Sequence, residues 1–407
     1  MAEEIIALIL LASSFLVAIA VIHHYVKSFI IPAVAVMMAL GAISVFLPTP
    51  EGFEFENLYH FVETEMSEVI LLVIIPILIF ESGRKVKIGD LKHEAAHIGF
   101  FAIIGVIITI FLIGFSIGTV FEIPLIHALL FGAILAATDP VAVGAIFAKF
   151  PIPHRLNTLI EGESLFNDAT GVISFNVIKS IIFAGVAFSL LDATLLFLWS
   201  IIGAITLGSA IGWISGKILN RWNDDEHVDF TIAIAVAIGG YAIAEHFFHV
   251  SGVVTTLFIA LLILRTHKEI IKEVRTLFHK YWDYLGFVAN SILFFLIGIP
   301  LFVTHTDHSL WLVLSIPIVV LIASRAIVVY GGNIFLRLFK IKVPMAWQHV
   351  LTLGGIRGGI SVALVLSLPA TYEYKELFVT LIVYLIAINL VLNPVLLTKY
   401  MKRVKLE

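Results

Sequence analysis

Cysteine is absent from the 407 residues and charge is scarce, with Asp, Glu, Lys and Arg making up 13% of the chain against about 25% in an average soluble protein. Without cysteine there is no disulfide framework and no zinc-thiolate site. The formal net charge is only -4, and no basic face suggests nucleic acid. Long polar stretches are missing too, so no separate soluble domain is expected. What fills the chain is apolar: 60% of it is hydrophobic, including 32 Phe. A soluble domain of this length cannot hide that much apolar surface. Disorder and collagen are excluded with it, and the composition is that of an integral membrane protein.

A helix crosses the hydrocarbon core with about 20 apolar residues. That ruler predicts about thirteen spans, at 5–25, 28–47, 67–83, 96–120, 126–148, 158–186, 191–216, 229–247, 251–264, 281–302, 309–336, 345–368 and 377–398. The number is twelve if 1–25 lies on the surface. Glu3 and Glu4 replace the basic start of a signal peptide, so 1–25 reads as a first span. Segment 265–280 reads as an amphipathic surface helix. No segment shows the short alternating pattern of an outer-membrane barrel. The expected fold is all-α and polytopic, one transmembrane domain over 1–407 with no cytoplasmic regulatory domain.

Lys and Arg accumulate on the cytoplasmic side of a membrane. An external N-terminus puts 21 of the 25 basic residues in internal loops and the C-terminal tail. Outside there is only Lys375, and Lys179, Arg325 and Arg357 lie within spans. Loop 48–66, with five Glu, is external. The C-terminus is therefore expected in the cytoplasm.

Ionisable groups at bilayer depth are costly and each asks for a reason. They are Glu81, Asp139, Glu161, Glu163, Asp168, Lys179, Glu245, Arg325 and Arg357. Glu245, near an outer span end, reads as solvated, and the His residues cluster at span ends as interfacial groups. In the fifth span, Thr138-Asp139-Pro140 predicts a break, because proline lacks an N–H and pushes its predecessor out of helical angles. Unwound backbone in mid-membrane is tolerated only within protein or beside a watery cavity. The break frees carbonyls for cations and sets a half-helix N-terminus behind Asp139; a Pro kink capped by Asp is the structural alternative. In the sixth span, Glu163 and Asn167 share one helical stripe, and Ser164 and Asp168 the next. Two acids, an amide and a hydroxyl in two turns make a site of hard oxygen ligands for a cation. In the twelfth span four glycines flank Arg357, so a second break or close packing is expected there. Arg357 needs an acid, and Glu163 is the preferred partner; Arg325 is the second candidate for it. Snorkelling is the alternative for Arg357.

If spans 1–6 and 8–13 form two halves about span 7, the broken fifth and twelfth spans correspond. Repeat one then covers about 5–186, the linker helix about 191–216 and repeat two about 229–398. Paired interrupted helices in equivalent places point to an inverted-repeat transporter.

ATDPVAV at 137–143, GESLFNDATGV at 162–172, GGIRGGISVAL at 354–364 and PILIFESG at 76–83 resemble the sodium/proton antiporters of the cation:proton antiporter superfamily. The Asn167-Asp168 pair resembles its electroneutral branch; the electrogenic branch carries Asp at the position of Asn167. The resemblance implies a core domain with crossed broken helices beside a dimerisation domain, hence a homodimer in the cell membrane. It implies Asp168 as the carboxylate that binds cation or proton. Asp139 and Thr138 would lie at the crossing, and Ser164 would be a further ligand. Glu81 would contribute directly or through water, and Asn167 would orient its neighbours. The ligands of the transported Na⁺ would thus be Asp168, Ser164, Thr138 and Glu81, with Glu163 and Arg357 as an internal ion pair. No cofactor and no enzymatic activity are expected, since Na⁺ or Li⁺ and H⁺ are the cargo. Burial disfavours the charged form of a carboxylate, so a proton and a cation would compete for Asp168 in a 1:1 exchange serving pH and sodium homeostasis. The rival readings are K⁺/H⁺ exchange on the same fold, a cation channel, and an intramembrane aspartyl protease with Asp139 and Asp168 as the dyad.

Overall fold

The computed structural model describes residues 15–22, 24–25, 33–44, 67–184, 189–222, 225–266, 272–303 and 310–404. Every regular element among them is helical. In chain order these are α1 (15–22), α2 (Ala33–Ser44), α3 (67–85), α4 (Ile88–His93), α5 (Ala95–Val120), α6 (Leu125–Ile134), α7 (Pro140–Phe147) and α8 (His154–Ala184). They continue as α9 (Leu190–Arg221), α10 (Glu226–Phe248), α11 (Gly252–Thr266), α12 (Lys272–Gly298), α13 (Pro300–Val303), α14 (310–338), α15 (Met345–Leu353), α16 (Gly359–Leu366) and α17 (Lys375–Met401). Among the described residues six helices are long and apolar enough to cross a membrane by length and composition: α5, α9, α10, α12, most of α14, and α17. Helix α8 is longer than most of these, but its central polar residues lower its hydropathy.

Most described helices fall on the predicted segments; α4 is a short helix in the expected internal loop 84–95. The acidic loop 48–66, all of 1–14 and residues 267–271 of the segment 265–280 lie outside the described residues. One boundary differs: 272–280 is not a separate surface helix but the first turns of α12. Val274, Phe278 and Trp282 are buried along one stripe of that helix, and Trp282 stacks on Phe80 of α3 at 4.2 Å between ring centroids. An amphipathic period fits a helix packed on protein as well as one lying on lipid.

The helices pack in two groups. In one, α9 lies along α11, α11 along α3 and α10, and α2 along α12. The α2–α12 crossing is backbone against backbone: a Cβ on Gly41 or Gly298 would run into the carbonyls of Phe295 or Met38. Small residues permit such close approach between membrane helices. In the other group α5 packs on α6 and α14, α8 on α6, and α17 on α15 and α16. The two interrupted helices, α6/α7 and α15/α16, meet inside this second group. Its face toward α3 and α12 holds the site.

Candidate functional site

Helix α6 stops at Ile134, the chain runs unwound through Ala137–Asp139, and Pro140 opens α7. Proline at a helix's first position loses nothing, because that N–H has no partner in any case. Helix α15 likewise stops at Leu353, with 355–358 unwound before α16. The two breaks touch: the Asp139 N–H donates to the Ile356 carbonyl at 2.7 Å. A Cβ on Gly358 would lie 2.5 Å from Asp139 Oδ2, so glycine is what lets the strands cross.

Each break leaves carbonyls at the C-terminal end of a half-helix, where the dipole is negative. An arginine takes each. Arg357 Nη1 donates to the carbonyls of Ala136 at 2.7 Å and Ala137 at 2.9 Å. Arg325 donates to the Leu351 carbonyl from Nε at 3.1 Å and Nη2 at 2.9 Å. The carbonyls expected to be free for a cation at Ala136 and Ala137 are thus occupied by the guanidinium. The Arg357 N–H in turn donates to Asn389 Oδ1 of α17 at 2.9 Å.

Helix α8 brings Glu163, Ser164, Asn167 and Asp168 to these breaks, all buried. Asn167 clamps Thr138: its Nδ2 donates to Thr138 Oγ1 at 2.7 Å, and its Oδ1 accepts the Thr138 N–H at 3.3 Å. Thr138 Oγ1 also lies 3.1 Å from Ser164 Oγ. Asp168 Oδ1 and Ser361 Oγ are buried without a hydrogen-bond partner. Both side chains line a cavity of about 40 Å³, which by volume has room for an ion and about one or two waters. The two breaks, among them Thr138, Asp139 and Gly358, complete its wall on this side, and Leu78, Ile79 and Ser82 of α3 with Asn290 and Leu293 of α12 form the other. The cavity sits between the two helix groups. Two carboxylates, hydroxyls and an amide are a hard-oxygen set suited to a weakly held cation.

The transmembrane sodium/hydrogen exchanger family profile matches residues 11–403. The chain belongs to the sodium/hydrogen exchanger family. It is 31% identical over 353 residues to the Na(+)/H(+) antiporter NhaP of Pseudomonas aeruginosa, covering 84% of this chain and 82% of that protein. It is 34% identical over 313 residues to the Na(+)/H(+) antiporter ApNhaP of Aphanothece halophytica, covering 76% and 59% respectively. The solved sodium proton antiporter MjNhaP1 of Methanocaldococcus jannaschii shares its fold at a TM-score of 0.81 and 18% identity, over 98% of this chain and 99% of that one. As a family member the chain is a multi-pass membrane transporter for Na⁺ and H⁺.

Within this exchanger the structure gathers Asp168, Asp139 and Thr138 at one cavity, with Asn167 and Ser164 held against Thr138. It does not bring Glu81 there. Glu81 pairs with Lys85, one turn on in the same helix, and lies 3.8 Å from Arg84. Arg84 also reaches Asp283 at 2.5 Å and His279 Nδ1 at 2.6 Å on α12. Glu81 therefore belongs to a charge cluster at the end of α3, where two basic neighbours at i+3 and i+4 hold it.

The expected Glu163–Arg357 pair is also not formed. Glu163 pairs with Arg325, whose Nη2 donates to Oε2 at 3.1 Å with a second, shorter contact from Nη1 to Oε1. Arg357 is spent on the carbonyls of the break. Glu245 is not simply solvated: its Oε1 accepts the Gly252 N–H at 2.8 Å, and it lines a cavity with Lys179. Sequence reasoning missed Ser82, Asn290, Ser361 and Asn389. Their signal was present as neutral polar residues inside apolar spans, but a search confined to ionisable groups passes over them.

Proposed function

We propose that this chain exchanges one Na⁺, or Li⁺, for one H⁺ by letting cation and proton take turns on Asp168. The observation that carries the reading is the unpartnered Asp168 Oδ1 in a small oxygen-lined cavity between two helix groups. A buried carboxylate with one oxygen left unsatisfied is costly as an anion, so it recruits either a proton or a cation. One positive charge for another leaves transport electroneutral. Asn167, uncharged, supports this stoichiometry, since it orients Thr138 without adding a second titrating group beside Asp168.

Asp139, Thr138 and Ser361 are the further oxygens on the α7, α8 and α16 side; Ser82 and Asn290 face them from α3 and α12. Rocking of one helix group against the other would open the cavity to each side in turn. Thirteen spans in two inverted repeats about α9, an external N-terminus and a cytoplasmic C-terminus fit the basic-residue asymmetry. A homodimer in the cytoplasmic membrane of the cell, serving sodium and pH homeostasis, completes the reading.

The test is exchange in proteoliposomes with Na⁺, Li⁺ and K⁺, with and without an imposed membrane potential. The expected result is exchange with Na⁺ and Li⁺ at a rate independent of potential. A potential-dependent rate overturns the electroneutral stoichiometry, and exchange with K⁺ alone overturns the cation assignment.

A further inference from the structure

We infer that the chain holds one anionic phospholipid, from the leaflet on its basic side, in a crevice between α4, α5 and α8 on one wall and α9 and α11 on the other. Two cavities meet there. The first, about 570 Å³, is lined by apolar side chains such as Ile98, Ala102, Phe166, Ile205 and Phe258. The second, about 690 Å³, is lined by Lys87, Lys92, Arg265 and Arg275 together with Arg84 and Lys85. Ile88, Lys92, Leu261 and Arg265 line both, so the apolar crevice opens directly onto the basic one.

Among the described residues, four of the six charges of the basic cavity are left without an acidic partner. Arg84 and Lys85 are held by Glu81 and Asp283. The acids of the neighbouring turns are turned away, Asp90 toward His154 and Glu94 toward Arg155. Among the described residues Lys87, Lys92, Arg265 and Arg275 make no ion pair. Four exposed cations converging on one cavity suit a phosphodiester headgroup.

The depth of the crevice selects a lipid over a soluble phosphate compound. On α11 it runs from Val254 to Arg265, about 16 Å at 1.5 Å per residue. That is half of the roughly 30 Å hydrocarbon core, the reach of one leaflet's acyl chain. One wall belongs to each helix group, so the lipid would wedge the seam along which the groups meet.

Native mass spectrometry of the delipidated full chain, titrated with phosphatidylglycerol, phosphatidylcholine or glycerol 3-phosphate, tests this. The expected result is one phosphatidylglycerol per chain, bound more tightly than phosphatidylcholine, with no stable glycerol 3-phosphate adduct. The double variant Lys92→Gln/Arg265→Gln should weaken phosphatidylglycerol about 30-fold, at about fivefold per basic residue, and leave phosphatidylcholine unchanged. Gly99→Phe grows a ring from the crevice wall at a position where a Cβ meets nothing within 4 Å; it should weaken both lipids. Phosphatidylglycerol binding unaltered in both variants overturns the site. Glycerol 3-phosphate bound as tightly as the lipid makes it a soluble-phosphate site, and equal retention of the two lipids removes the headgroup assignment. Either variant alone is decisive if the other fails to fold.

Discussion

Replacing Arg357 with Met removes the donor that holds the carbonyls of Ala136 and Ala137 at 2.7 and 2.9 Å. Among the described residues no backbone N–H donates to them across the break. Two buried acceptors left unpaired cost about 1–3 kcal/mol each, or about 2–6 kcal/mol together. Relief from burying a cation works the other way, because a desolvated charge is itself costly. The carbonyls cannot be mutated away, however, so the unpaired acceptors dominate and a net loss of about 2–4 kcal/mol is expected. Arg357→Lys keeps a donor but not the guanidinium's reach and should fall between. Equilibrium unfolding in mixed micelles measures the loss, and proteoliposome exchange measures whether the crossing survives. An Arg357→Met protein within about 0.5 kcal/mol of the parent, with exchange intact, would refute the idea that this arginine caps the break; ordinary surface substitutions fall within that margin.

Two other substitutions probe the same architecture. Arg325→Ala strands the buried Glu163 carboxylate and should destabilise by about 3–5 kcal/mol, whereas Glu163→Gln/Arg325→Met, which removes both charges, should recover much of that in the same unfolding assay. Gly358→Ala places a methyl group 2.5 Å from Asp139 Oδ2; overpacking of about 1–3 kcal/mol is expected, with Na⁺-driven proton exchange lost before the fold is.

Both breaks were legible in sequence, because Pro140 and the glycines around Arg357 act locally on backbone angles. The stripe of Ser164, Asn167 and Asp168 was legible too, since helical spacing alone puts them together. The meeting of Asp139 and Thr138 with Asp168 followed from the family resemblance, whereas the partners of the buried charges depended on how one helix faces another. Glu163 finds Arg325, the second candidate, rather than Arg357 because the Arg325 side chain reaches it from α14, a tertiary fact with no local signature. Asn290 and Ser82 form the far wall of the cavity only because α3 and α12 pack there. Glu81 is different: Arg84 and Lys85 at i+3 and i+4 were in plain view, and a local ion pair at a helix end was the simpler expectation. The segment 272–280 was misassigned because a helix half-covered by protein and one half-covered by lipid carry the same periodicity.

The central claim is that cation and proton share Asp168. Calorimetric Na⁺ binding, measured in buffers of different ionisation enthalpy, counts the protons released per ion bound. With the parent protein the account predicts a release approaching one proton per Na⁺ at pH values where the site starts protonated, and neither Na⁺ binding nor exchange in a folded Asp168→Asn variant. Na⁺ binding without proton release, or undiminished exchange by Asp168→Asn, would contradict it.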